Sequence, residues 1–243
     1  MSTVAIWHSP PQSPILRDNQ VHIWRASLDL PPAQVDYFAS LLAPDEVTKA
    51  NKFRFPVHRR RYIVARGILR QLLANYLHLR PQEIGFEYGD RGKPYLSDFD
   101  SLQFNVSHSH ESVLYGVSDR IPIGVDVEYL RKMPDAAKIA RRFFSAKEYE
   151  LIDRVVETEQ QRLFFQLWTA KEAYLKALGV GLAGSLNSVE LEVNPIRLVA
   201  VKGSKSAAAD WSVYSCGWAT NYIAAIAIKA QKSAKEVNFW QWS

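Results

Sequence analysis

Two stretches with helical periodicity, residues 57–79 and 160–178, set the plan of this chain. In the first, Val64, Ala65, Ile68, Leu69 and Leu72 share one helix face, an apolar stripe that has to be buried. Ahead of it, residues 20–30 alternate as a strand (Val21, Ile23, Trp24, Ala26, Leu28), and Pro31-Pro32 opens a helix to about residue 42. A further helix starts after Pro44, with Asp45 and Glu46 in its first turn as the helix dipole prefers. Strand signals follow at 85–88, 104–108 and 113–117. The second half repeats the plan: a helical region from Pro134, the capping box Ser145-Ala-Lys-Glu148, the long helix, then strands near 188–193, 211–215 and 222–228. Arg66-Gly-Ile-Leu-Arg70 holds the place in half one that Lys171-Glu-Ala-Tyr-Leu-Lys176 holds in half two. This repetition predicts an α+β fold of two similar halves, 1–120 and 121–243, with a site at their seam around residues 120–130.

Charge and cysteine content narrow the classes. The net charge of +5 suits polyphosphate ligands or acidic protein partners as well as nucleic acid. The single Cys216 excludes an internal disulfide and a cysteine-rich zinc site. Pro10, Pro11 and Pro14 interrupt the start where a secretory signal would need an apolar run, and the run from Tyr222 to Ile228 is too short to span a bilayer. The expectation is a cytoplasmic protein without a membrane partner.

The stretch Ile121-Pro-Ile-Gly-Val-Asp-Val-Glu128 bears on chemistry. As a strand it places Asp126 and Glu128 on one face, with Val125 and Val127 on the other. Either the two acids face water on an edge strand, or a hard cation such as Mg²⁺ lies between them. Glu172 and Lys176, four apart in Trp168-Thr-Ala-Lys-Glu-Ala-Tyr-Leu-Lys176, share a helix face. They are an ordinary surface pair unless the apolar crowd of Phe164, Phe165, Leu167, Trp168, Tyr174 and Leu175 buries them. In that case Glu172 joins Asp126 and Glu128 on a cation, and Lys176 stands near the anion that the cation holds.

Anion-seeking groups lie elsewhere. Arg61 falls inside the apolar stripe of its helix and must snorkel, pair with an acid or meet an anion, whereas Arg59, Arg66 and Arg70 form a solvated cationic face. Gly89-Asp-Arg-Gly-Lys-Pro94 makes a tight turn presenting Arg91 and Lys93. Ser107 and His108 end the strand Phe104-Asn-Val-Ser-His108; His108 and His110 lack a third ligand at metal spacing and read as hydrogen-bonding groups. Gly179-Val-Gly-Leu-Ala-Gly184 spells a dinucleotide fingerprint but follows a helix, so Gly179 reads as its C-terminal cap. Three carboxylates, a lysine, Arg61, Lys93 and His108 describe a metal-assisted polyphosphate site. Two rivals are a nucleic-acid binder using the arginine-rich helix with Trp240 and Trp242, and a metal-dependent phosphohydrolase.

These residues resemble the 4′-phosphopantetheinyl transferases, in their monomeric surfactin-type branch. The likeness is carried by Ile123-Gly-Val-Asp-Val-Glu128, Trp168-Thr-Ala-Lys-Glu-Ala-Tyr-Leu-Lys176, Gly92-Lys-Pro94, Phe104-Asn-Val-Ser-His108 and Arg142-Phe-Phe-Ser145. It implies a monomeric pseudo-dimer of α+β halves. The implied activity is Mg²⁺-dependent transfer of phosphopantetheine from coenzyme A to a serine of an acidic apo acyl or peptidyl carrier protein, releasing adenosine 3′,5′-bisphosphate. It further implies that Asp126, Glu128 and Glu172 bind Mg²⁺, that Glu172 takes the serine proton, directly or through a metal-bound water, and that Lys176 stabilises or protonates the leaving phosphate. Lys49, Arg61, Lys93, Ser107 and His108 would hold the adenosine phosphates. Where many relatives carry a second basic residue before Lys49, this chain has Glu46.

Overall fold

The computed structural model describes residues 5–11, 14–181, 186–229 and 236–242. Chain order in the first half is β1 (Gln20–Ser27), α1 (Pro32–Ala39), α2 (Pro44–Asn51), α3 (Pro56–Leu77), β2 (Glu87–Tyr88), β3 (Pro94–Tyr95), β4 (Leu102–Ser109) and β5 (Ser112–Asp119). The second half runs β6 (Ile123–Tyr129), α4 (Ala136–Phe143), α5 (Ala146–Arg154), α6 (Glu157–Leu178), β7 (Val189–Glu192) and β8 (Arg197–Val201). It ends with α7 (Lys205–Ala209), β9 (Trp211–Cys216), β10 (Tyr222–Lys229) and β11 (Glu236–Gln241).

The two long helices α3 and α6 are both 22 residues, and each ends on a left-handed residue: His78 at φ 56° and Gly179 at φ 75°. Gly179 is thus a helix cap, as expected; Gly184 of the same stretch lies outside the described residues. Ser145 caps α5 reciprocally with Glu148, also as expected.

Period-two alternation sorts the strands into layers. One sheet has the order β11-β1-β5-β4, the other β6-β10-β9. Trp24 and Ala26 of β1, with Tyr115 and Val117 of β5, face α3, whereas Val21, Ile23 and Leu114 face the other sheet. There they meet Val125 and Val127 of β6 and Ala224 and Ile226 of β10, while Ile223, Ala225 and Ala227 point the other way onto α6. The layers are therefore helix, sheet, sheet, helix, and three apolar clusters fill the spaces between them. Among the described residues no helix is long and apolar enough to cross a membrane.

Two expectations need correction. Arg66 and Arg70 are not solvated: both are buried, and both close on Glu46, Arg70 Nε at 2.6 Å from Oε2 and Arg66 Nε on Oε1. Glu46 also accepts from the Ala43 backbone, and Arg70 donates to the carbonyls of Pro81 and Ile84. Acid and arginines satisfy one another in the interior, which makes burial possible. Only Arg59 of that set is exposed. The C-terminal tryptophans are not a free tail either. Residues 236–241 form a strand that the sequence reading missed, and it pairs parallel with β1, setting Trp240 opposite Trp24. Trp240 and Trp242 pack their rings 6.2 and 6.0 Å from that of Trp24. The arginines and tryptophans on which the nucleic-acid reading leaned are mostly used inside the fold.

Candidate active site

Strand β6 is hydrogen-bonded along one edge to β10. Along the other edge β4 serves it through side chains: Asn105, Ser107 and Ser109, at period two, accept from the N–H groups of Val125, Val127 and Tyr129 at 2.9, 3.3 and 3.1 Å. This polar ladder satisfies backbone donors that would otherwise be buried unpaired, and it stitches the two sheets together. Two of its rungs also hold the acids. Ser107 Oγ donates to Asp126 Oδ1 at 2.8 Å, and Ser109 Oγ to Glu128 Oε2 at 3.0 Å.

On the face of β6 that carries Asp126, Gly124 lets α6 come in close. A Cβ at that position would collide with the Ala173 carbonyl and stand 2.5 Å from the Ala177 nitrogen. The glycine of the sequence motif is thus a close-approach residue, and Ala173 and Ala177 are the small partners on the helix. The resulting contact delivers Glu172 and Lys176 to Asp126. Lys176 Nζ donates to Asp126 Oδ1 at 2.6 Å and to Ser107 Oγ at 2.9 Å.

Asp126 Oδ2 and Glu172 Oε1 are buried without a hydrogen-bond partner among the described residues. Burial, and then the negative charge of Asp126, push the Glu172 carboxyl up to about 7, with Lys176 opposing. Two partnerless carboxylate oxygens in neighbouring acids fit a hard cation, which takes oxygen ligands and cancels the repulsion. As the side chains stand, no three His, Cys, Asp or Glu groups converge on one point among the described residues. Instead the protein's own cations occupy the acids: Lys176 holds Asp126, and Arg131 lies 3.3 Å from Glu128.

A cavity of about 370 Å³ opens beside Ser109 and Arg131, the two groups that hold Glu128. Leu28, Phe53, His58, Arg61, Tyr62, His108, Ser109, His110 and Arg131 line it. Desolvation by the cavity wall, reinforced by Lys176 and Arg61, holds the His108 pKa down. Arg61 takes the second of its three expected fates and pairs with Asp29 in a two-pronged contact, 2.8 and 2.7 Å, while still lining the cavity. A second cavity of about 300 Å³ lies between the edge strands β9 and β11, but its described lining carries no charged side chain.

The expected nucleotide set is only partly gathered. Arg61 and His108 meet at the cavity, and Lys49 sits beside it, 5.4 Å from the Tyr62 ring. Ser107 is taken into the Asp126–Lys176 cluster, its hydroxyl donating once and accepting twice. Lys93 donates to the Ala177 carbonyl near the end of α6, and burial lowers its pKa to about 8. Sequence reasoning missed Asn105 and Ser109, although the alternation 105–107–109 was there to be read; it also missed Arg131 and His58, which no spacing rule marks.

Comparison with known proteins adds an independent line. Residues 24–118 match the family model described as 4′-phosphopantetheinyl transferase, N-terminal, and residues 122–227 match that of the 4′-phosphopantetheinyl transferase superfamily. The 4′-phosphopantetheinyl transferase HetI of Nostoc sp. is 40% identical over 225 residues, covering 91% of this chain and 93% of that protein. The 4′-phosphopantetheinyl transferase Sfp of Bacillus subtilis is 30% identical over 174 residues, 71% of this chain and 76% of that protein. A solved holo-(acyl-carrier-protein) synthase of Bacillus anthracis in complex with CoA covers 46% of this chain and 98% of its own, at TM-score 0.38 and 18% identity. That likeness is too distant to carry residue roles across.

Proposed function

This chain belongs to the Sfp-type branch of the 4′-phosphopantetheinyl transferases, and we propose that it moves 4′-phosphopantetheine from coenzyme A to a serine of an apo acyl or peptidyl carrier protein. The reaction forms a bond between the serine oxygen and the pantetheine-bearing phosphorus. The bond from that phosphorus to the bridging oxygen breaks, and adenosine 3′,5′-bisphosphate departs with the oxygen. The observation that carries the reading is the cluster of Lys176, Asp126 and the two partnerless carboxylate oxygens beside a cavity lined with cationic groups.

Asp126, Glu128 and Glu172 are the proposed holders of Mg²⁺, which when bound would neutralise charge on the pyrophosphate. Glu172 is the proposed acceptor of the serine proton; before any cation binds, burial and the charge of Asp126 push its carboxyl up to about 7. Lys176 stabilises the negative charge that grows on the leaving phosphate. For that it exchanges part of its contact with Asp126 for the phosphate, a short reach for a flexible ammonium. Arg61, His108 and Lys49 hold the adenosine phosphates from the first half, with Arg131 facing them from the second. Lys93 and Ser107 act one step back, Lys93 securing the end of α6 and Ser107 orienting Lys176. Catalysis of this kind is mostly positioning and charge neutralisation.

The two halves, 1–120 and 121–243, are read as the units of a pseudo-dimer that works as a monomer in the cytoplasm, its site at the polar ladder between β4 and β6. The experiment is intact-mass analysis of several apo carrier proteins incubated with this protein and coenzyme A, with and without Mg²⁺. One added phosphopantetheine per carrier, only with Mg²⁺, supports the reading. Free phosphopantetheine with unmodified carrier would establish the hydrolase instead.

A further inference from the structure

Residues 47–82 contain nine Lys and Arg and no Asp or Glu. Arg66 and Arg70 are neutralised by Glu46, Arg61 by Asp29 and Arg80 by Glu83. The other five are exposed, and among the described residues none forms a salt bridge. Lys49 stands apart, over the Tyr62 ring at the cavity. Lys52, Arg54, Arg59 and Arg60 make a strip around the start of α3, outside the cavity lining.

Apolar surface is mixed into the strip. Phe55 is 56% exposed, with the Arg54 guanidinium 5.6 Å and the His58 ring 5.8 Å from its centre. Beyond the Arg54–Phe55 contact the like charges repel one another, and more than half of Phe55 stays in water. A nucleotide does not need them, since its few negative charges have Arg61, His108 and Lys49 at the cavity itself. The strip is nonetheless continuous with that cavity, because Phe53, His58 and Tyr62 from the same segment form one of its walls.

We propose that Lys52, Arg54, Arg59 and Arg60, with Phe55 among them, are the docking surface for the protein substrate, an acidic carrier with an apolar spot beside its serine. The assignment rests on the transferase reading for the identity of the partner. Long-range attraction brings the carrier to the strip, Phe55 supplies a desolvated contact, and the serine is presented at the adjoining cavity.

Docking is tested apart from chemistry. An apo acyl carrier protein with its target serine replaced by alanine binds without turnover, and fluorescence anisotropy reads its affinity at low and high salt. The K52E/R54E/R59E/R60E protein is expected to bind about tenfold or more weakly than wild type and to lose most of the salt dependence. Its KM for coenzyme A, and kcat extrapolated to saturating carrier, should stay within about twofold. The charge-keeping K52R/R54K/R59K/R60K protein should bind as wild type does, and Phe55→Ser alone should weaken binding at both salt concentrations. Equal carrier affinity in the reversed and wild-type proteins overturns the proposal. So does a defect confined to the KM for coenzyme A, or tighter binding of random single-stranded DNA than of carrier. A wild-type protein that binds through the strip yet transfers nothing to the serine-bearing carrier overturns the activity and leaves the surface standing.

Discussion

Lys176 Nζ lies 2.6 Å from Asp126 Oδ1, and the Ser107 hydroxyl is bonded to both. Three elements meet there: helix α6 brings the lysine, β6 the acid and β4 the serine. The lysine's charge is thereby held against an acid; in the proposed reaction a phosphate would take over part of that contact. Asp126 Oδ2 has no hydrogen-bond partner among the described residues, and it is the oxygen proposed to meet a cation.

If Lys176 serves the leaving phosphate, its contact strengthens as charge develops and belongs to the transition state. Lys176→Met keeps most of the stem and removes the charge. We expect kcat to fall about 10²-fold or more, with coenzyme A affinity changing far less. Calorimetry and transfer kinetics on the one variant decide the matter. Near-normal kcat, or a loss wholly in affinity, removes Lys176 from the chemistry.

The Glu172 carboxyl, pushed up to about 7, must shed its proton before it can ligate a metal. Mg²⁺ affinity should therefore rise as pH rises through about 7, with proton release largest below that pH. Titration calorimetry in buffers of different ionisation enthalpy measures the protons released. Asp126→Ala, or EDTA, should abolish transfer; full activity under either would falsify the metal assignment.

Gly124→Ala forces the backbone of α6 away from β6, because the obstacle is main chain and not a side chain that can swing aside. Overpacking of this kind costs roughly 1–3 kcal/mol. Activity should drop more than stability implies, since the same displacement withdraws Glu172 and Lys176 from Asp126. Urea unfolding and kcat on the folded variant give the two numbers to compare.

Glu46→Ala leaves Arg66 and Arg70 buried with their carboxylate gone. Removing one side of a buried ionic cluster costs about 3–5 kcal/mol. Asp29→Ala, by contrast, breaks a pair whose acid is 52% exposed, and about 1 kcal/mol or less is expected. Equal losses in chemical denaturation would contradict the buried triad.

His22 is buried between Tyr76 and Trp240, its Nδ1 2.7 Å from the Tyr76 hydroxyl, which accepts from Trp24 Nε1. Burial lowers its pKa from 6.5 to about 4. Between those values the unfolded chain takes a proton that the folded one refuses, so stability falls as pH is lowered from 6.5 to about 4. The loss from this residue is at most about 3 kcal/mol, and His22→Gln should flatten the slope by that amount. An unchanged slope would place the acid sensitivity elsewhere.

Much of this was legible in the chain. Proline at helix starts located α1 and α2, helical period α3 and α6, and the capping box at Ser145 α5, because such signals act within a turn or two of the residue that carries them. Strand β11 was not legible: its partner β1 lies more than two hundred residues away, and its short run of aromatics reads equally well as a tail. Arg66 and Arg70 were misplaced for a related reason, since helical angle says which side of α3 they occupy but not that Glu46 waits there.

The sequence by itself determined which groups this protein has to work with: acids at 126 and 128 on one strand face, an acid and a lysine one turn apart on a helix, and a glycine at 124. Those follow from backbone periodicity, a local property. Only the tertiary structure decided who meets whom. Gly124 admits Ala173 and so sets Lys176 on Asp126, and the alternation of Asn105, Ser107 and Ser109 becomes the ladder that ties the sheets. It also turned Arg61 to Asp29, Lys93 to the end of α6 and Glu46 inward. A charge buried or half-buried is governed by whichever counter-charge packing brings within reach, and that distance is written in the fold and not in the order of residues.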